Sequence, residues 1–193
     1  MSHPIPIEVI YSHVHLSEEH KKVLFGERNS GTIRQEISQT GQFAYEETVD
    51  VVGSNGKTLT LRVLGPSRKS TQVELTRGEA ELLALNTPEA ISGDFGLAAD
   101  CALKTENGEV IATKSVIIPR AHIHLSDSDA RTLRLEHGSV VRIDVIGNGA
   151  QVIDDIVVRV HPTYRARMHI HADDARDLWL SSGTHIRIRD LQH

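Results

Sequence analysis

Short segments in which apolar and polar residues alternate dominate the chain, and this pattern predicts β-strands with one buried face. The clearest of them are residues 140–146, 153–160 and 185–189. Two more, residues 48–52 and 59–64, flank a Gly-Ser-Asn-Gly sequence at 53–56, which is typical of a β-hairpin turn. This turn precedes Lys57-Thr58, but it is too short before the lysine to be a phosphate-binding loop.

Helical periodicity is confined to four short stretches, at about residues 18–25, 77–85, 127–136 and 173–180. Ser17 and Ser126 precede two of these stretches, and each is followed by an acidic residue in the first turn, so both are N-cap candidates. Many short strands with few short helices favour an α+β fold that is mainly β and built on barrels, rather than a parallel βαβ sheet.

An internal repeat joins a strand with histidines to a short helix and a glycine turn. Residues 122–126 (His-Ile-His-Leu-Ser) and 169–172 (His-Ile-His-Ala) align with each other, and both lead to such a helix and turn. Residues 13–17 open in the same way. Residues 72–76 form a fourth copy, in which Glu74 takes the place of the second histidine. Four related units predict two similar barrels.

The repeated His-x-His pattern indicates metal binding. Residues i and i+2 of a strand project from the same face, so each pair directs two imidazoles to one point while the residue between them enters the core. Zinc takes three or four nitrogen, oxygen or sulfur ligands. The alternative is that the histidines only face solvent at strand ends. The candidate ligands suffice for two zinc ions: His13, His15, Glu74, His122, His124 and His169.

Two further candidates are positions for binding an anion. A Gly-Pro turn at 65–66 is followed by Arg68 and Lys69, which lead into the strand that carries Glu74. A guanidinium can bind phosphate or a carboxylate through two parallel hydrogen bonds, although an ordinary solvated charge pair would look the same in the sequence. Ser92 belongs to a small polar cluster, Ser-Gly-Asp, that we expect in a loop near the site.

Composition narrows the class of protein. The chain has 193 residues, 39% of them apolar, which suits one large domain or two small ones. Its net charge of −5 and aromatic content of 4% argue against nucleic acid as a partner. A single cysteine, Cys101, fits a reducing compartment, and neither a membrane-spanning stretch nor a secretory signal is evident. We therefore expect a cytoplasmic protein without a membrane partner and keep a homodimer open as its assembly.

In combination and in this order, several of these motifs resemble the PduL-type phosphate propanoyltransferases, a phosphotransacylase family linked to bacterial propanediol utilisation and microcompartments. The resemblance runs from about residue 5 to residue 178. The segments that carry it are 13–17, 41–48, 64–74, 92–94, 122–124 and 168–170.

The resemblance implies two similar β-barrels capped by short helices, with the active site between them. Residues 1–12 and 120–193 would form barrel 1, and residues 13–119 would form barrel 2 with a small inserted segment around 26–46. It also implies two zinc ions and the interconversion of a short-chain acyl-CoA and phosphate with acyl phosphate and CoA. We expect no N-terminal amphipathic helix of the kind that directs some relatives to microcompartments.

Carried over residue by residue, the six candidate ligands fall on the family's metal positions. Arg68 falls on its phosphate-handling, catalytic arginine, and Ser92 lies in its phosphate-binding segment. The chain departs from the family pattern at His171, where an aspartate is usual. Two alternatives stay open: a dinuclear zinc hydrolase, and a homologue that binds metal or coenzyme A without catalysis.

Overall fold

The computed structural model describes residues 4–27, 31–147 and 151–189. The chain divides into two compact units, one comprising Met1–Ile10 with Ala121–His193 and the other Tyr11–Arg120. We refer to the β-barrels in these units as barrel 1 and barrel 2, respectively. Among the described residues, no helix combines the length and the apolar character needed to cross a membrane.

The strands, in chain order, are β1 (Ile5–Ile10), β2 (His13–Ser17), β3 (Ile33–Glu36), β4 (Phe43–Val52), β5 (Thr58–Arg68), β6 (Gln72–Glu74), β7 (Glu89–Ala90), β8 (Ala99–Lys104), β9 (Glu109–Pro119), β10 (His122–Leu125), β11 (Val140–Ile146), β12 (Val152–Val160), β13 (Arg167–His171) and β14 (His185–Ile188). The helices are α1 (Glu18–Phe25), α2 (Arg77–Leu82), α3 (Asp127–Leu133) and α4 (Ala172–Asp177).

Barrel 1 closes in the strand order β1-β13-β10-β12-β11-β14. Its interior is filled by the alternate residues of each strand, as the predicted period of two requires. Ile123, Leu125, Met168 and Ile170 are essentially inaccessible to solvent and belong to one apolar cluster. The residues between them on β10 and β13 therefore face outwards.

Barrel 2 closes in the order β9-β6-β2-β5-β4-β8, because β8 pairs with both β4 and β9. The short strands β3 and β7 lie outside this closed ring and pair with β4 and β9, respectively. Its core is a second apolar cluster that contains Val14, Leu16, Val73 and Leu75. The predicted fold class is confirmed: the chain is mainly β, with two similar closed barrels and, among the residues that the structure describes, four short helices.

The two barrels share strand order and strand direction. In both, the strand that carries the His-x-His pair runs antiparallel to its neighbour on one side, β6 or β13, and parallel to its neighbour on the other, β5 or β12. They differ in how the chain supplies the last strand. In barrel 2 it is β9, which follows β8 directly, whereas β1 from the N-terminus fills that position in barrel 1.

The N-caps align the four strand–helix units. Ser17, Thr76 and Ser126 each accept a hydrogen bond from the backbone N–H three residues on, and His171 occupies the same position before α4 without a side-chain cap. By this register Glu74 does occupy the place of the second histidine. The alignment of residues 169–172 with 122–126 is wrong by two residues, because it matched histidines instead of caps.

The predicted helix ends need a smaller correction. Three helices stop three residues before the predicted ends, at Leu82, Leu133 and Asp177. Just beyond them, Ala84, Arg134 and Trp179 have positive φ, which ends helical hydrogen bonding. The predicted hairpin is confirmed, with longer strands.

Candidate metal and anion site

In barrel 2, β2 and β6 place four polar side chains on the outer face. His13 lies opposite Glu74, and His15 lies opposite Gln72, across an antiparallel pair of strands. Val14, between the histidines, is fully buried in the core, as the period of two predicts. All four residues are buried, with relative exposures of 0 to 6%. Buried polar groups at this density require partners.

His13 and Glu74 form the first contact of this group. His13 Nδ1 lies 2.8 Å from the carbonyl oxygen of Tyr11, so Nδ1 carries a proton and donates it. Nε2 of the same ring lies 3.5 Å from Glu74 Oε2. In a neutral imidazole that nitrogen is an acceptor, as is the carboxylate oxygen. A cation, either a proton on Nε2 or a metal ion shared by both atoms, makes this contact favourable.

His15 is held in its neutral form. A guanidinium can only donate, and Arg68 Nη2 lies 2.7 Å from His15 Nε2, so this nitrogen presents its lone pair. Burial lowers the pKa of His15 well below its ordinary value, and the nearby His13 and Arg68 lower it further. Neutral imidazole is the form that binds metals, and Arg68 here contacts the lone pair that a metal ion would use.

Ser92 and Gln72 connect Arg68 to Glu74. Ser92 Oγ accepts hydrogen bonds from Arg68 Nη1 at 3.1 Å and from the Gln72 amide at 2.7 Å. The same amide nitrogen donates to Glu74 Oε1 at 2.5 Å, and the Gln72 oxygen accepts from the backbone N–H of Gly93 at 2.9 Å. Gln72 therefore holds both the carboxylate and the loop that carries Ser92.

Barrel 1 carries a cluster of three histidines on the corresponding face. His122 lies opposite His169 across β10 and β13, and one nitrogen from each of His122, His124 and His169 lies within 4.8 Å of the other two. The ring of Tyr164 stacks on His124 at 4.0 Å between centroids and fixes its plane.

These residues fit zinc. Two ligands of a tetrahedral zinc ion with bonds of 2.0–2.1 Å lie about 3.4 Å apart. The 3.5 Å contact between His13 and Glu74 already matches that spacing, and the three histidines of barrel 1 lie somewhat wider apart. Nitrogen and carboxylate donors, without cysteine, are a usual ligand set for catalytic zinc.

The structure thus brings the predicted residues into two groups, one in each barrel: His13, His15, Glu74, Arg68 and Ser92 in barrel 2, and His122, His124 and His169 in barrel 1. Sequence reasoning missed Gln72, Tyr164 and Glu8, the last of which lies beside His169. For Gln72 a signal existed, since its repeat position matches His122. The position of Glu8 depends on the pairing of β1 with β13, which no local pattern reveals.

The comparisons with known proteins all point to the same family. The family model for phosphate propanoyltransferase matches residues 6–181. The chain is 37% identical over 180 residues to a phosphate propanoyltransferase of Shewanella putrefaciens, covering 93% of this chain and 85% of that protein. It is 38% identical over 173 residues to one of Citrobacter rodentium, with coverage of 89% and 82%, and 36% identical over 180 residues to one of Thermotoga maritima, with coverage of 93% and 86%. The chain therefore belongs to the phosphate propanoyltransferase family.

Proposed function

We propose that this protein is a zinc-dependent phosphate acyltransferase that interconverts a short-chain acyl-CoA and inorganic phosphate with acyl phosphate and CoA. Membership of the family supports acyl transfer to phosphate, and propanoyl-CoA is the first substrate to test. The observation that supports the residue assignment is the contact of Arg68 with both His15 and Ser92, because a guanidinium that can bind phosphate there touches a histidine that we assign to the metal ion.

In this proposal one zinc ion is held by His13, His15 and Glu74, and a second by His122, His124 and His169. Bound zinc would supply Lewis acidity for polarising the thioester carbonyl and for offsetting the negative charge of a tetrahedral transition state.

Arg68 is the residue that we assign to phosphate. His15 Nε2 has one lone pair, so a metal ion bound there would release the Arg68 guanidinium to bind two phosphate oxygens. Ser92 Oγ already accepts two hydrogen bonds, from Arg68 and Gln72, which leaves its own O–H to donate to the same anion. Phosphate held in this way can attack the thioester directly, and no covalent enzyme intermediate is needed.

The test combines metal analysis with a coupled assay of CoA release and acyl phosphate formation from propanoyl-CoA. Release of CoA that depends on phosphate and yields acyl phosphate is expected, and release without phosphate would instead indicate a hydrolase. Full metal content without turnover of short acyl-CoAs would indicate a homologue without catalysis. His124→Ala should lower the metal content by about half, whereas His185→Ala, on the exposed part of barrel 1, should retain it.

Arg68→Ala separates anion binding from metal binding. We expect a higher KM for phosphate, a lower kcat, or both, with the zinc content retained, because Arg68 would bind phosphate and would not bind zinc. Lys69→Ala is the matched control, since Lys69 is the adjacent cation and is exposed. Unchanged phosphate kinetics in Arg68→Ala would remove that residue from the mechanism.

A further inference from the structure

A carboxylate lies beside the three histidines of barrel 1, on a strand that sequence reasoning did not connect with them. Glu8 of β1 is in register with His169 of β13, and His169 is in register with His122 of β10. Neighbouring residues in register project from the same face of a sheet. Glu8, His169 and His122 therefore form a row across three strands on the outer face of barrel 1.

The contact between Glu8 and His169 has the spacing of two ligands of one ion. Glu8 Oε2 lies 3.3 Å from His169 Nε2. Within the described part of the chain, the buried Nε2 of His169 makes no hydrogen bond. The Glu8 oxygen is therefore close to this nitrogen but does not lie along the direction of an N–H bond. This distance is close to the separation of about 3.4 Å between two ligands of tetrahedral zinc.

Glu8 also forms an ion pair with Arg167, whose Nε lies 3.9 Å from the same Glu8 oxygen, so His169 Nε2 is the closer of the two nitrogens. We propose that Glu8 is a fourth protein ligand of the metal ion bound by His122, His124 and His169. This inference rests on the proposed function in one respect, which is that the three histidines bind a metal ion.

Barrel 2 has no corresponding carboxylate. Glu74 occupies the position of His169, and its neighbour on the last strand is Ile117, a fully buried apolar residue. Barrel 2 thus offers three ligands, His13, His15 and Glu74, and barrel 1 offers four. A zinc ion with four protein ligands is saturated, whereas one with three keeps a position for water or substrate.

The consequence is a division of labour between the two ions. The ion in barrel 2, next to Arg68, would keep the open position at which a substrate oxygen binds. The ion in barrel 1 would bind more tightly and exchange more slowly, and it would accept a substrate atom only by adding a fifth ligand or by losing Glu8.

The experiment uses Co²⁺ as the probe in the full-length protein. In Glu8→Cys, a thiolate that coordinates Co²⁺ produces an intense sulfur-to-metal charge-transfer band in the near ultraviolet. We expect that band in Glu8→Cys and its absence both in the parent protein and in Glu136→Cys, which places a thiol at an exposed position of the same barrel. Cys101 is present in all three proteins, so any contribution it makes to the spectrum is the same in each.

A second measurement does not depend on the thiol. In the background of Glu74→Gln, which weakens the barrel 2 site, Glu8→Gln should raise the dissociation constant for Zn²⁺ by roughly a hundredfold, as measured by competition with a chelator. Glu136→Gln should leave it unchanged. A parent protein that binds two metal ions, with no band in Glu8→Cys and no loss of affinity in Glu8→Gln, would overturn the role of Glu8 alone. A parent protein that binds no metal at all would overturn both this inference and the zinc dependence of the proposed function.

Discussion

Barrels 1 and 2 have the same strand order, yet they carry different donors at equivalent positions. His122 and His124 of barrel 1 correspond to His13 and His15 of barrel 2. On the neighbouring strand the correspondence breaks, since Arg167 and His169 stand where barrel 2 has Gln72 and Glu74. The backbone thus repeats the positions from which these side chains project, while side-chain identity decides whether a position carries a candidate metal ligand, a hydrogen-bond donor or a cation.

The last strand teaches a second lesson from the same comparison. In barrel 2 this strand is β9, which is close in sequence to its partner β8, whereas barrel 1 takes β1 from the far end of the chain. Closing barrel 1 therefore needs a long-range pairing. Such a pairing forms more slowly, because closing a long loop costs more conformational entropy. β1 also carries Glu8, which lies beside His169, whereas barrel 2 has no carboxylate at the corresponding position of its last strand.

A matched pair of core substitutions tests whether the barrels are separate folding units, and we expect these substitutions to have the largest effect on stability. Leu125 in barrel 1 and Leu16 in barrel 2 occupy equivalent positions just before an N-cap, and both are fully buried. Replacing either with alanine should lower the free energy of unfolding by about 2–5 kcal/mol, because it removes buried methyl groups and leaves a cavity.

Hydrogen–deuterium exchange measures where that loss falls. Leu125→Ala should reduce amide protection chiefly in β10 to β14, and Leu16→Ala chiefly in β2 to β9. Equal loss of protection in both barrels in each variant would show that they unfold as one cooperative unit.

A smaller effect concerns the single cysteine, which lies in barrel 2 and so reports on that barrel alone. Burial raises the pKa of Cys101 to about 11. Only the thiolate reacts with disulfide reagents, so at pH 8 native labelling should be roughly a hundredfold slower than labelling of the unfolded chain. Native labelling should keep rising about tenfold per pH unit from pH 8 to 10, whereas the unfolded chain levels off above its lower pKa.

The core substitutions provide the control for Cys101. Leu16→Ala should speed labelling by opening barrel 2, and Leu125→Ala should not. Rapid labelling of the native protein at pH 8 would contradict the buried, protonated state of this thiol.

The smallest effects on stability concern the helix N-caps, which are present at three of the four described helices and missing at α4. Ser126→Ala should destabilise the protein by about 1 kcal/mol, because it removes the oxygen that accepts from the Asp129 N–H. His171→Ser places the residue found at the equivalent positions before α1 and α3, and we expect a gain of about 0.5–1 kcal/mol.

Urea unfolding measures both changes, with the exposed Ser181→Ala as a control near α4. A lower midpoint in His171→Ser would mean that packing of the buried imidazole contributes more than a cap at this position.

Much of the local geometry was accessible from patterns in the sequence. The direction of the His-x-His side chains followed from the period of two, and the caps at Ser17 and Ser126 followed from residue type and the acidic first turn. The misaligned repeat at His171 shows the weakness of matching by residue type. A histidine two positions from the next one resembles a ligand pair whether it ends the strand or caps the helix.

The sequence by itself determined the mainly β fold, the outward face of the histidines and the position of Glu74, because strand period and capping are local and short-ranged. Only the tertiary structure decided which side chains meet. Arg68 contacts His15, and Glu8 lies beside His169, because strands distant in the chain pair in a particular register. That register is set by the packing of the whole barrel core, which no single segment of the sequence encodes.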